Sequence, residues 1–349
     1  MSALPTAEVQ LIFLNHIQRL FEEGEFVATY KYALLISLAE IVVEKGDDSG
    51  SPIHISIHSI ADKFIELYWR QIKPYKSVQS LESAVLIQNK GRQAAIPNLV
   101  ADLQEKHASL AEARHSKQWR SAIAEVSKTI ETMPLWKLQT LRRQKVIFLY
   151  NEEIIEDGID LLPGVAFCLR QFNGFIMNLA RSAWVSHVRS NPLNRSIVGD
   201  NNDLEAFMFG VDRGSLVAIR GLLTDLQKKI CFYCQKPIRD SGAIDHFIPW
   251  SRYPRDITQN FVFAHDGCNG DKSDLLAACG HLAHWRERNE LYRTELAAFC
   301  NSTIISDELT SLGVARWAYA HAHTSKSQVW VGHGVTEALD ASYQSILAK

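Results

Sequence analysis

Long apolar runs are missing from this chain of 349 residues. A typical apolar stretch, residues 33–43, is interrupted by Ser37 and Glu40 and is too short to span a bilayer. A basic segment followed by an apolar one is missing from the N-terminus, so no secretory signal is expected and a cytoplasmic location follows. Net basic charge is missing too, with 37 Lys and Arg against 39 Asp and Glu. Any nucleic-acid partner would have to be held by local patches, because the molecule as a whole does not attract phosphate. There is no internal repeat, no low-complexity tract and no heptad pattern to settle an oligomer. No segment combines low hydrophobicity with high net charge, which excludes long disorder. What remains, at 46% hydrophobic and 22% charged, is an ordinary soluble composition with room for two or three domains.

Cysteine is sparse, at positions 168, 231, 234, 268, 279 and 300. Three of the six crowd into one short stretch, and CxxC spacing in a large non-secreted chain suggests metal before disulfide.

Apolar residues recur at helical spacing through most of the chain. Residues 6–46 read as two amphipathic helices separated near Gly24, followed by a loop at 45–52. Residues 53–57 look briefly extended, and Ser59 then starts a helix carrying Phe64, Ile65, Tyr68 and Trp69. An ordinary core helix is the preferred reading there, ahead of a DNA-reading helix of winged-helix type. Residues 76–149 read as helical, with breaks at Pro97 and Pro134. Eight Lys or Arg against two Glu make 113–149 the most basic stretch, either a solvated helix face or a strip that touches phosphates.

Acidic residues cluster at 150–160 and suggest a boundary. None then occurs from Leu161 to Gly199, where Arg170, Arg181, Arg189 and Arg195 do. A helix over 172–187 lies in that run, and one face in the core with one directed to DNA would explain the missing carboxylates. Residues 199–203 read as a loop, 213–229 as a helix, and 281–301, 306–322 and 333–348 as three more, with Trp285, Trp317, Trp330 and Tyr343 as core or docking groups.

Chemistry concentrates between Cys231 and Lys272. Cys231-x2-Cys234 is followed about thirty residues on by His265-x2-Cys268, a paired spacing that closes a tetrahedron around Zn²⁺ with no open position. Such a site staples the fold and does no chemistry. Cys279 reads as a buried thiol, and His281 and His284 as surface or cap residues outside the pairs. A second set interleaves with the first. Asp245-His246 ends a short strand, Asn260 begins another at 260–263, and a helix over 266–278 carries Asn269 and Lys272 on adjacent turns. A hairpin followed by a helix would gather Asp245, His246, Asn260 and Asn269. A histidine is the natural base near neutrality, and a carboxylate with an amide oxygen suits Mg²⁺ or Mn²⁺. Together these groups suit hydrolysis of a phosphodiester.

Over about residues 228–280 this pattern resembles the HNH, or ββα-metal (His-Me finger), endonuclease family in its zinc-stapled form. It departs where His265 stands for the usual Cys and where Asn269 stands for the His of many members, as in the HNH domain of RNA-guided CRISPR nucleases. The resemblance implies His246 as general base, Asp245 and Asn269 as holders of the catalytic ion, and Asn260 as a brace of loop and base. Lys272 would touch phosphate or brace the site, and Arg252, Arg255, Arg181 and Arg189 are further candidate DNA contacts. The implied reaction is metal-dependent DNA cleavage leaving 5′-phosphate and 3′-hydroxyl ends, with RNA left open. A role in bacterial defence, restriction or a mobile element goes with it. The alternatives are a silent nucleic-acid-binding or scaffold subunit, and a nuclease active only with a partner such as an ATPase or guide complex. One centre cuts one strand, so a double-strand break would take a homodimer or two visits.

The expected architecture is mainly α. A helical N-terminal domain spans 1–155, a helical connector 156–230, the nuclease module 231–280 and C-terminal helices 281–349.

Overall fold

The computed structural model describes residues 4–75, 83–198, 203–210, 213–239, 241–299 and 304–348. Cys300, the expected loop residues 199–202 and the first part of the expected helical region, 76–82, lie outside the described residues. The chain divides into two compact units, Met1–Gly210 and Val211–Lys349. The structure is mainly helical with small two-stranded sheets. No helix among the described residues is long and apolar enough to cross a membrane.

In the first unit, α1 (Ala7–Glu23) starts at Thr6, whose hydroxyl accepts from the Val9 amide, and stops at Gly24. α2 (Tyr30–Lys45) differs from the expected amphipathic helix because nearly all of it is buried. Burial brings Glu40 and Glu44 inside, where charge needs a partner. Lys63 supplies it, 3.2 Å from Glu40 and bonded to Glu44. β1 (His54–Ser56) leads into α3 (Ile57–Gln71), and the cap is Ser56, whose hydroxyl accepts from the Ser59 amide, not Ser59 itself.

Next come α4 (Ala95–Lys106), α5 (Leu110–His115), α6 (Lys117–Thr132) and α7 (Pro134–Lys137), with Pro134 at the first turn as the break at that proline requires. The expected helix does not continue to 149. β2 (Thr140–Leu141) and β3 (Gln144–Lys145) form a hairpin there instead. Gln139 explains the departure: its buried amide accepts from the Phe148 and Leu149 amides and donates to the Tyr150 carbonyl. The basic strip is therefore not one helix face. Arg114 pairs with Asp62 and Glu66, Lys145 with Glu152, and Arg142 and Arg143 stand exposed at the hairpin turn.

β4 (Gly158–Asp160) pairs antiparallel with β1, so the acidic stretch is stitched into this unit and the expected division at 155 falls inside it. α8 (Val165–Gln171), α9 (Asn173–Ser190), α10 (Arg195–Val198) and α11 (Leu204–Phe209) complete it. The carboxylate-free run is divided: α9 buries Ile176, Met177, Ala180, Trp184 and Val185, while Phe175, Arg189 and Arg195 stay exposed. Arg170 is buried and donates to the carbonyls of Val42, Val43 and Gly46 at the end of α2, where a cation meets the negative end of the helix dipole.

The second unit opens with α12 (Arg213–Leu226). β5 (Ala243–His246) pairs antiparallel with β6 (Phe261–Ala264), setting Asp245 opposite Val262 and His246 opposite Phe261. α13 (Asp266–Lys272) is shorter than expected, because Ser273 turns the chain at φ 47°. α14 (Cys279–Leu291), α15 (Arg293–Ala298) and α16 (Glu308–Thr324) follow. The expected helix over 333–348 is replaced at its start by the hairpin β7 (Gln328–Gly332) and β8 (Val335–Ala338), leaving only α17 (Ser342–Ala348). Trp285 of α14 is fully buried. It stacks on Phe247 at 5.2 Å and donates to the Gln259 carbonyl, so the C-terminal helices grip the loop between β5 and β6.

Candidate active site

The Cys231–Cys234 turn closes through the Gln235 amide on the Cys231 carbonyl. His265 and Cys268 arrive at the start of α13. The ligand atoms of Cys231, Cys234, His265 and Cys268 all lie within 4.8 Å of one another. Ligands 2.0–2.3 Å from a tetrahedral zinc stand about 3.3–3.8 Å apart, so this set fits the ion after a small contraction. His265 shows which nitrogen would bind. Its Nε2 is 3.3 Å from the Pro237 carbonyl, and its Nδ1 faces the Cys234 sulfur at 3.3 Å. A carbonyl that takes the Nε2 proton leaves Nδ1 for metal. Burial, with the charges of Cys231 and Cys234 beside it, raises the Cys268 thiol above its usual range, the repulsion that a cation in the cluster would relieve.

The spare candidates do other work. Cys279 is only half-buried and faces Asp340. His281 donates to, or accepts at, no metal group but lies 2.9 Å from the Val331 carbonyl, stacked on Trp330. His284 stacks on Phe232 with ring centroids 4.6 Å apart. Both histidines are packing groups and not the surface or cap residues expected.

Asp245 and His246 are both 8% exposed at the end of β5. Two donors address the same oxygen of Asp245. The Tyr233 hydroxyl lies 2.5 Å from Oδ2 and the Lys272 ammonium 3.0 Å from it. Oδ1 is left without a partner among the described residues. Lys272 is completely buried and also donates to the His246 carbonyl at 3.1 Å. It is a brace, and its burial removes it from the candidate phosphate contacts. Lys272→Met is expected to destabilise the second unit by about 3–5 kcal/mol, because it strands a buried carboxylate without its cation. Thermal unfolding without added divalent ion measures this.

His246 packs against Phe261 and Trp250, with ring centroids 4.6 and 5.2 Å away. Its Nε2 lies 2.9 Å from Asp256 Oδ1, and both side chains are at most 10% exposed. A carboxylate there holds the proton on Nε2 and leaves Nδ1 as the basic nitrogen. Asn260 spans the loop: its carbonyl oxygen accepts from the Ile248 amide at 2.7 Å and its amide donates to the Ile248 carbonyl at 2.9 Å. Both ends of that side chain are consumed, so Asn260 shapes the loop behind His246. Asn269 is half-buried on α13, which packs on β5, and its side-chain amide has no partner among the described residues. An unpartnered carboxylate oxygen and an unpartnered amide fit a hard divalent ion, while the thiolates are committed elsewhere.

Sequence reasoning missed Tyr233 and Asp256. Tyr233 lies between two cysteines, where only their spacing draws notice. Asp256 sits in the loop four residues before Asn260, and its one signal is a carboxylate there. Among the candidate contacts, Arg255 reaches the Tyr253 hydroxyl. Arg252 is half-buried, and burial lowers its pKa. In the first unit, Arg181 turns inward, 4.0 Å from Glu40 and over the Phe209 ring, whereas Arg189 is exposed.

A family model described as a domain of unknown function, DUF8808, matches residues 12–198, and one described as HNH endonuclease matches residues 231–278. The chain belongs to the first family, which covers more than half of it. Its likeness to the second is confined to that segment, which carries both ligand sets and implies nuclease activity on nucleic acid in general terms. No curated protein and no solved structure matches the chain.

Proposed function

We propose that this DUF8808-family chain is a metal-dependent endonuclease that hydrolyses DNA phosphodiester bonds at Asp245, His246 and Asn269. The observation that carries this reading is the His246–Asp256 pair. A buried carboxylate on Nε2 is what a histidine needs in order to act as a base through Nδ1. The carboxylate also fixes which ring nitrogen carries the proton, which a neutral carbonyl acceptor would do less strongly.

Asp245 Oδ1 and the Asn269 amide oxygen would hold a divalent ion, Mg²⁺ or Mn²⁺. When bound, the ion stabilises charge on the scissile phosphate and its leaving oxygen. The chain's own groups do the remainder. His246 Nδ1 accepts the proton of the attacking water, and Asp256 steadies the imidazolium that results. Asn260 keeps the 247–260 loop, and with it Asp256, at a fixed distance from the ring. Phe261 and Trp250 confine the ring so that little ordering is left for the moment of reaction. Zn²⁺ in the Cys231, Cys234, His265 and Cys268 cluster has no open position and serves the fold alone.

The test is a cleavage assay on single-stranded DNA, duplex DNA and RNA, with metal omitted and restored. Cleavage of DNA only with Mg²⁺ or Mn²⁺ is the expected result. Binding without cleavage on every substrate would mean a silent nucleic-acid-binding subunit.

Asp256→Asn gives a finer expectation. The amide no longer demands a proton on Nε2, so both tautomers become populated and kcat falls while KM stays near its original value. The loss is bounded by what the base itself contributes, about 10²- to 10⁴-fold. Nitrogen chemical shifts of His246 would show the tautomers directly, and an unchanged Nε2–H form would refute the assignment.

A further inference from the structure

Tyr233 belongs by sequence to one metal set and by contact to the other. It sits in the turn between Cys231 and Cys234, whose ligand atoms share the zinc cluster. Its hydroxyl ends 2.5 Å from Oδ2 of Asp245. The ring is held on several sides, edge-on to Phe232, His281 and Trp330 at 5.1–5.4 Å, with the Lys272 ammonium 5.9 Å from its centroid. A ring locked in this way has no freedom to carry its hydroxyl elsewhere.

An ion ligand needs orientation as much as charge. A carboxylate on a strand end turns about its own bonds, and a hydrogen bond and an ion pair on one oxygen oppose that rotation. Lys272 comes from α13 and Tyr233 from the zinc turn, so Oδ2 is addressed from two independent elements. The remaining oxygen is thereby presented in one direction.

We infer that Tyr233 is a positioning residue for the catalytic ion, fixing Asp245 from within the zinc turn so that Oδ1 is left for the metal. This rests on the reading of Asp245 as an ion ligand. It makes the cysteine turn more than a staple: the segment that shapes the module also sets the affinity of its reactive site.

The experiment uses the full-length, zinc-loaded chain. Mn²⁺ binding is titrated by electron paramagnetic resonance in the original protein, in Tyr233→Phe and in Asp245→Asn, with zinc content measured on each. Tyr233→Phe keeps the ring and its packing, so zinc stays bound and the thermal transition changes little. Its Mn²⁺ affinity is expected to fall roughly 10-fold, the lower end of what outer partners of metal ligands contribute. Saturating Mn²⁺ then restores kcat on plasmid DNA, a split that a merely structural role would not produce. Unchanged Mn²⁺ affinity in Tyr233→Phe overturns the inference, and so does loss of its zinc. Asp245→Asn separates the two levels. If it binds Mn²⁺ as tightly as the original protein, Asp245 is not an ion ligand, and the underlying reading fails together with the inference. If it loses Mn²⁺ while Tyr233→Phe does not, only the inference fails.

Discussion

His246→Ala is expected to slow metal-dependent nicking of plasmid DNA by about 10²- to 10⁴-fold, the range a positioned general base contributes. The expectation is sharp because the ring has one task left open. Its Nε2 is engaged by Asp256, its faces lie against Phe261 and Trp250, and Nδ1 alone has no partner among the described residues. Removing the ring also strands the Asp256 carboxylate. A loss of about 1–3 kcal/mol in stability is therefore expected alongside, as for any buried polar group deprived of its partner. Unfolding measured in parallel keeps the two effects apart. A variant that stays folded and zinc-bound but no longer cuts supports His246 as the base. Nicking at the original rate would place the base elsewhere.

Removal of zinc should have the second large effect, and it reads on folding before it reads on activity. About one tightly held zinc per chain is expected of a closed four-ligand site. Two of the segments that shape the module are tied to that cluster. The turn carrying Tyr233 is closed by Cys231 and Cys234, and α13 is tethered at its start by His265 and Cys268. Structural zinc sites contribute about 10–16 kcal/mol of apparent binding energy near neutral pH, more than a domain of this size holds in reserve. Cys268→Ser, or exposure to a strong chelator, is expected to unfold the 231–278 module, read as a change in the fluorescence of Trp250 and Trp285. Recovery on returning Zn²⁺, but not Mg²⁺, separates this cluster from the ion-binding pair proposed at Asp245 and Asn269. A zinc-free protein with unchanged fluorescence and unchanged cleavage would refute the staple.

The two predictions differ in kind because the two ligand sets do. Thiolates and imidazole converge on one point, and their mutual repulsion calls for a soft or borderline cation. The carboxylate and amide keep free oxygens that suit a hard one. Interleaving them within some forty residues places both sets on a scaffold too small to have a large core of its own.

Much of this was legible before any coordinates. Ligand spacing is a local property: residues two or three apart on a turn face the same way, so two such pairs announce a tetrahedral site. The hairpin and helix around them were legible for the same reason, since the short apolar pieces Ala243-Ile244 and Phe261-Val262-Phe263 each lie within a single segment. Local logic failed where a distant partner decided. The helix expected to run to 149 breaks because Gln139 captures the backbone of 148–150. The carboxylate-free run at 161–199 reads as one face in the core and one directed to DNA, and only packing assigns its arginines: Arg170 closes the end of α2 and Arg181 turns to Glu40 and Phe209, whereas Arg189 and Arg195 stand exposed. Missing carboxylates and buried surroundings give the same sequence signal.

Lys272 shows the limit most plainly. Its type and position were read correctly from the sequence, but a lysine serves equally as a phosphate contact or a buried counter-ion, and only its surroundings choose. The sequence by itself determined which residues could bind metal, which could accept a proton, and that the two sets are distinct. Tertiary structure alone decided that Lys272 and Tyr233 meet at one oxygen of Asp245 and that Asp256 holds His246. These are contacts between segments brought together by packing, and no spacing along the chain encodes their distance.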